Sequence, residues 1–220
     1  MKNLIALLLC IVVIAFNTTK AQQLPFYDEI QNFKKQDSTN PAPQNAILFV
    51  GSSSFRKWTD VQSYFPGYTI INRGFGGSTL PDVIRYANDI IFPYHPKEIV
   101  IYCGENDFAA SDNTTVAMVF ERFKTLYAVI RSKMPEVPVV FISIKPSPSR
   151  RKYWPKMIET NQLIKDYIST QQNASYVDVY TAMLNEDAQP KPEIFLEDSL
   201  HMNANGYAIW QKAIQPYLIK

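Results

Sequence analysis

Five short apolar runs, most of them continuous rather than alternating, constrain the fold of this 220-residue chain more than any other feature. They span 45–50, 68–72, 97–103, 137–143 and 174–179, and Ala46-Ile-Leu-Phe-Val50 is typical of them. A strand with one wet face alternates apolar and polar residues. A run that is apolar throughout needs cover on both faces, as in a parallel sheet held between two layers of helices. Segments with helical spacing separate the runs, near 79–91, 114–134 and 154–171, and a last one lies near 203–217. The segment 114–134 is the clearest: Val116, Val119, Phe120, Phe123, Leu126, Tyr127 and Ile130 form one stripe, and Pro135 stops it. This alternation predicts right-handed crossovers and a doubly wound α/β/α sandwich of three layers around a five-stranded parallel sheet. In such sheets sites form at the carboxyl ends of the strands.

The amino-terminal residues read differently. Lys2 precedes thirteen apolar residues, Leu4 to Phe16, and Thr19-Lys-Ala21 resembles a small-x-small cleavage site. Thirteen residues fall short of the about 20 that a membrane span needs. Residues 1–21 therefore read as a signal peptide, with an uncleaved anchor as the alternative, and the mature protein is expected to be secreted or periplasmic without stable membrane insertion. Cys10 lies inside the apolar stretch and does not read as a lipid attachment site. Without Lys2 and Lys20 the formal charge of +2 falls to zero, and no basic stripe favours a nucleic-acid partner. Only Cys103 then remains, so an intramolecular disulfide is excluded. Two histidines and one thiol also leave a histidine- or cysteine-rich metal site without ligands, and no cofactor is expected. The polar stretch Gln36–Gln44, carrying Pro41 and Pro43, reads as a loop within a lead-in over 22–44. A single domain over 45–220 follows.

Four polar turns fall just after apolar runs or just before the last helix. Gly51-Ser52-Ser53-Ser54 can expose a hydroxyl at a helix start, although serine is also an ordinary helix cap. Asn72-Arg-Gly-Phe-Gly-Gly-Ser78 can bring a backbone N–H to a developing oxyanion, or can be a structural loop. Gly104-Glu-Asn-Asp107 offers an asparagine amide as a neutral donor, or a turn built by Asn106 or Asp107. Asp198-Ser-Leu-His201 spaces a carboxylate to orient an imidazole base. Alternatively, Asn203 caps the last helix and His201 merely packs nearby. His95, wedged in Pro93-Tyr-His-Pro96, is a poor base. Ser143-Ile-Lys145-Pro-Ser-Pro-Ser-Arg-Arg151 also follows a run; Lys145 could meet substrate there, while Arg150 and Arg151 read as solvated. Trp58, Trp154, Trp210 and thirteen tyrosines are explained mostly by core packing.

Taken in order, these turns resemble the four blocks of the SGNH (GDSL-type) hydrolase superfamily, and the resemblance covers nearly all of the chain after residue 21. It implies a flavodoxin-like form of the sandwich and ester hydrolysis through an acyl-enzyme. It places the nucleophile on Ser53, the base on His201 with Asp198 as its orienter, and the oxyanion donors on the Ser53 and Gly77 N–H groups and the Asn106 amide. One departure stands out: the family's Gly-Asp-Ser has Ser52 in place of the aspartate, as the resemblance to platelet-activating-factor acetylhydrolase subunits and secreted bacterial esterases implies can be tolerated. Members act on acetylated sugars, lysophospholipids, thioesters and short acyl esters. The export signal favours short acyl or O-acetyl groups on extracellular carbohydrate. A lysophospholipase- or thioesterase-type activity, or a weakly active carbohydrate-binding protein on the same scaffold, are the other readings.

Overall fold

The computed structural model describes residues 23–220, so the signal-peptide reading of 1–21, with Cys10, lies outside the described residues. Five strands, β1 (Ile47–Gly51), β2 (Ile70–Gly74), β3 (Glu98–Tyr102), β4 (Val139–Ile142) and β5 (Ala174–Val177), pair in the order β2-β1-β3-β4-β5. Every pairing is parallel. Successive residues of a strand serve opposite faces. Leu48, Val50, Ile99, Ile101, Val139 and Phe141 join one buried cluster, while Ile47, Phe49, Val100, Tyr102, Val140 and Ile142 join the other. The central strands β1, β3 and β4 are dry on both faces, which is why their runs carry no polar alternation, while the edge strands β2 and β5 are half-buried.

Helices α1 (Tyr27–Thr39), α4 (Leu80–Arg85), α5 (Ala87–Ile90), α7 (Val116–Lys133) and α8 (Trp154–Ser169) cover the first cluster, to which Phe108 of α6 (Glu105–Ala110) also belongs. Helices α2 (Ser53–Arg56), α3 (Val61–Tyr64) and α9 (Ala204–Ile214) cover the second. This is the three-layer sandwich expected from the sequence. Helix α7 buries Val119, Phe123, Leu126, Tyr127 and Ile130 of its stripe, and the Thr115 side chain caps it by accepting from the Met118 N–H.

The second face has an aromatic centre that matters for the site. Trp58 stacks on Tyr207 at 4.7 Å, and Trp210 meets Tyr102 at 4.8 Å and Phe55 at 6.1 Å. Such pairs add about 0.5–1.5 kcal/mol each beyond their burial. The Tyr207 hydroxyl donates to the Ser54 carbonyl at 2.8 Å. These contacts lock α9 against α2, and so bring the chain just before α9 to the chain that opens α2.

Three local expectations change. The single helix expected over 79–91 is two short helices, because Tyr86 leaves helical geometry (φ −99°, ψ 9°) and its hydroxyl donates to the Pro25 carbonyl at 2.7 Å. The helix expected over 203–217 ends at Ile214 and tightens into a 3₁₀ turn over Gln215–Tyr217. The polar stretch expected to be a loop from Gln36 begins instead as the last turn of α1. Only Ile30 of α1 is buried, so its apolar stripe is too thin to read as a helix.

Candidate active site

The order β2-β1-β3 sends the crossovers from β1 and β3 in opposite directions and opens a crevice between their carboxyl ends. Gly51 closes β1 there at φ +141°, and a Cβ on it would lie 2.0 Å from the Tyr102 carbonyl oxygen. A glycine is therefore required for β1 and β3 to meet this closely. The Ser52 N–H donates to that same carbonyl at 3.0 Å, and the chain then turns into α2 at Ser53.

Of the three serines, Ser53 is the one that meets a base. Its Oγ lies 2.9 Å from Nε2 of His201, across 148 residues of sequence. On the other side of the ring, His201 Nδ1 lies 2.6 Å from Asp198 Oδ2. With the ring proton on Nδ1 facing the carboxylate, the Nε2 lone pair faces the serine O–H. Ser199, in left-handed geometry (φ 52°), tightens the turn so that the Leu200 and His201 N–H groups donate to Asp198 Oδ1 at 3.0 and 2.9 Å. Partial burial acts to raise the Asp198 pKa, but the bonds from the His201 ring and from these two backbone donors outweigh it. They hold the carboxyl well below its usual range. Asn203 caps α9 as well, accepting from the Asn205 and Gly206 N–H groups, so the cap and the Asp198–His201 contact coexist.

The expected oxyanion donors follow three strand ends, and Asn106 bonds the neighbours of the other two, Ser52 and Ser78. Among the described residues neither the Ser53 nor the Gly77 N–H has a backbone acceptor, and Gly77 is exposed in left-handed geometry (φ +83°). Asn106 differs. Its Nδ2 donates to Ser52 Oγ at 2.7 Å and to the Ser78 carbonyl at 3.1 Å, which engages both amide hydrogens. An acyl oxygen would compete with one of these acceptors for the amide. Ser52, the residue that departs from the family pattern, is thus the side-chain partner of the asparagine.

Lys145 is not where substrate contact was expected. It is fully buried, and its Nζ donates to Glu105 Oε2 at 2.5 Å and to Ser147 Oγ at 2.7 Å. Burial lowers its pKa, with Glu105 pulling the other way. The Tyr102 hydroxyl donates to the same Glu105 oxygen at 2.9 Å, and Ser147 Oγ donates on to the Leu200 carbonyl at 3.4 Å. Side chains beside Asn106 and a carbonyl beside His201 are thereby joined under the site. Sequence reasoning missed Glu105 and Ser147; the one available signal was an acid and a lysine following adjacent apolar runs. Asp107 is buried too, accepting from the Leu80 N–H at 2.9 Å and from Arg122 at 2.8 Å, so it ties α4 and α7 to α6. His95 is exposed before β3, at the opposite end of the sheet. A cavity of about 740 Å³ between α1 and β2, lined by Lys35, Asp37, Pro41 and Arg73 among others, includes none of the site residues.

Comparison with known proteins follows this geometry. Residues 45–209 match the GDSL-like Lipase/Acylhydrolase family. No curated protein sequence matches the chain. Solved structures share its fold. A protein designated an acylhydrolase from Bacteroides fragilis superposes with a TM-score of 0.75 at 21% identity, covering 87% of this chain and 96% of its own. A GDSL-like lipase from Bacteroides thetaiotaomicron gives 0.71 at 18% identity, covering 86% and 96%. An acetylxylan esterase from Geobacillus stearothermophilus gives 0.63 at 14% identity, covering 78% and 93%. At these identities the likeness speaks for the fold alone, whereas the family match spans most of the chain. The chain belongs to the GDSL-like lipase/acylhydrolase family and is a hydrolase of that type.

Proposed function

We propose that the enzyme cleaves carboxylic esters through an acyl-enzyme on Ser53, with His201 as base and Asp198 as its orienter. The observation that carries this reading is one imidazole bridging Ser53 Oγ at 2.9 Å and Asp198 Oδ2 at 2.6 Å. As Oγ bonds to the carbonyl carbon, its proton passes to Nε2. The carbonyl oxygen becomes an oxyanion facing the Ser53 and Gly77 N–H groups, and the Asn106 amide joins them by giving up Ser52 Oγ. Collapse breaks the bond to the alkoxy oxygen, which leaves as the alcohol with the proton from Nε2. Water, deprotonated by the same nitrogen, then bonds to the acyl carbon; the bond to Oγ breaks, the acid leaves, and the proton returns from Nε2 to Ser53 Oγ. Asp198 stays ionised throughout and keeps the ring proton on Nδ1.

The substrate class is a short acyl ester, with O-acetyl groups on extracellular carbohydrate the favoured case. Two features support it: the export-type segment over 1–21, which also favours a secreted or periplasmic enzyme, and the fold shared with an acetylxylan esterase. No described helix is long and apolar enough to cross a membrane. The test is turnover of acetylated polysaccharides, lysophospholipids and simple acyl esters by the wild type and Ser53→Ala. Acetate release from polysaccharide, lost in the variant, is expected; cleavage confined to lysophospholipids would overturn the substrate assignment.

A further inference from the structure

We infer that Phe26, delivered by the segment ahead of α1, walls the acyl side of the site and limits the acyl chain it accepts. The inference rests on the esterase reading above and adds a specificity residue to it. Phe26 lies outside the 45–209 stretch that matches the family model.

Three observations carry it. The first is position. A Cβ built on Gly77 would point into space where the one atom found within 4 Å, among the described residues, is Phe26 Cε1 at 4.0 Å. The room beside the glycine is thus bounded by that ring. The second is backbone strain. Phe26 is held in left-handed geometry (φ 66°, ψ 5°), where a side chain other than glycine is disfavoured. Its surroundings maintain that geometry: the Pro25 carbonyl accepts from Tyr86, the ring packs edge-on to Phe75 at 5.3 Å, and Glu29 grips Arg56 at 2.8 Å and the Gly76 N–H at 3.4 Å. The glycine loop and the Phe26 segment are clamped as one unit.

The third observation bears on the side. Phe26 and Phe75 pack in the cluster on one face of the sheet, whereas Met202 and Tyr207, which follow His201, pack in the cluster on the other. The leaving oxygen must lie within reach of His201 Nε2 to take its proton. With that substituent toward the histidine and the oxyanion at the donors, the acyl group extends toward the Gly77 side, where the ring stands. An acetyl methyl fits beside such a wall, and each further methylene has to displace it.

The experiment compares p-nitrophenyl acetate, butyrate and octanoate, which share one leaving group, for wild type, Phe26→Ala and Phe26→Gly. Glycine tolerates φ 66° without penalty, so it guards against a folding failure of the alanine variant. Wild type should prefer acetate. Both variants should raise kcat/KM for octanoate relative to acetate by about tenfold or more, in line with what a few methylenes are worth in an apolar pocket. A change of alcohol, from p-nitrophenyl to methylumbelliferyl acetate, should leave the variants' relative rates unmoved. Folded variants whose acyl preference matches wild type would overturn the inference alone, as would a change that follows the alcohol. A wild type inert to every ester would overturn the esterase reading and this inference with it.

Discussion

A single proton is the issue at Ser53. In the mechanism we propose the hydroxyl is a weak nucleophile until His201 removes its hydrogen, so Ser53→Ala and His201→Ala should each lower kcat on a short acyl ester by about 10⁴–10⁶-fold. Asp198 is a hydrogen-bond acceptor held in its ionised form, and the part we propose for it is to select the tautomer. Asp198→Asn should therefore cost about 10³–10⁴-fold in kcat with KM little changed. For Asn106→Ala the expected loss is about 10²–10³-fold, the cost of one oxyanion donor. Steady-state kinetics on a nitrophenyl ester check all four. The proposed site residues stood out in the sequence singly, as an acid–histidine spacing and small-residue turns. The partnership between Ser52 and Asn106 did not, because it joins side chains 54 positions apart and has no local signal. Lys145 misled for a similar reason. A lysine after a strand reads as a possible substrate contact until Glu105 is seen beside it.

Among the elements, the central strands β1, β3 and β4 were the most readable because two dry faces impose continuous apolar runs. Helix α1 was not readable, since Ile30 alone among its residues is buried and its apolar stripe is thin. The split between α4 and α5 was hidden as well: it depends on Tyr86 reaching the Pro25 carbonyl, a contact spanning 61 residues. The brace of Lys145 and Glu105 joins the ends of β4 and β3, and its energetics follow from burial. With the two side chains 1% and 6% exposed, Lys145→Met leaves an uncompensated carboxylate and should destabilise the fold by about 3–5 kcal/mol. Replacing both, as Lys145→Met with Glu105→Leu, should recover most of that loss in urea unfolding. A double variant no more stable than the single one would show that the pair contributes more than mutual compensation.

For the whole molecule, two cores on one sheet put the reacting groups between layers. The aromatic core positions α2 and α9, and with them Ser53 and His201, while the opposite core positions the Gly77 loop. At the far end of the sheet Glu98 opens β3, and its carboxylate accepts from the Ile219 N–H at 3.1 Å. Burial pushes its pKa up from 4.5 to about 7, against the pull of that N–H and of Lys97. A carboxyl raised in the folded state gives full stability below pH 4.5 and loses it as pH rises toward 7, because the unfolded chain ionises first. Glu98→Gln removes this loss. The variant should gain about 1–3 kcal/mol at pH 8 and little at pH 4, read as a difference in Tm between the two conditions. Equal shifts at both pH values would contradict the assignment.

Covalent capture tests the central claim most directly. A fluorophosphonate probe should modify the wild-type protein once, at Ser53, as read by peptide mass spectrometry; Ser53→Ala should remain unmodified and His201→Ala should react far more slowly. An adduct on Ser52 or Ser54, or none at all on an enzyme that still cleaves esters, would contradict the account.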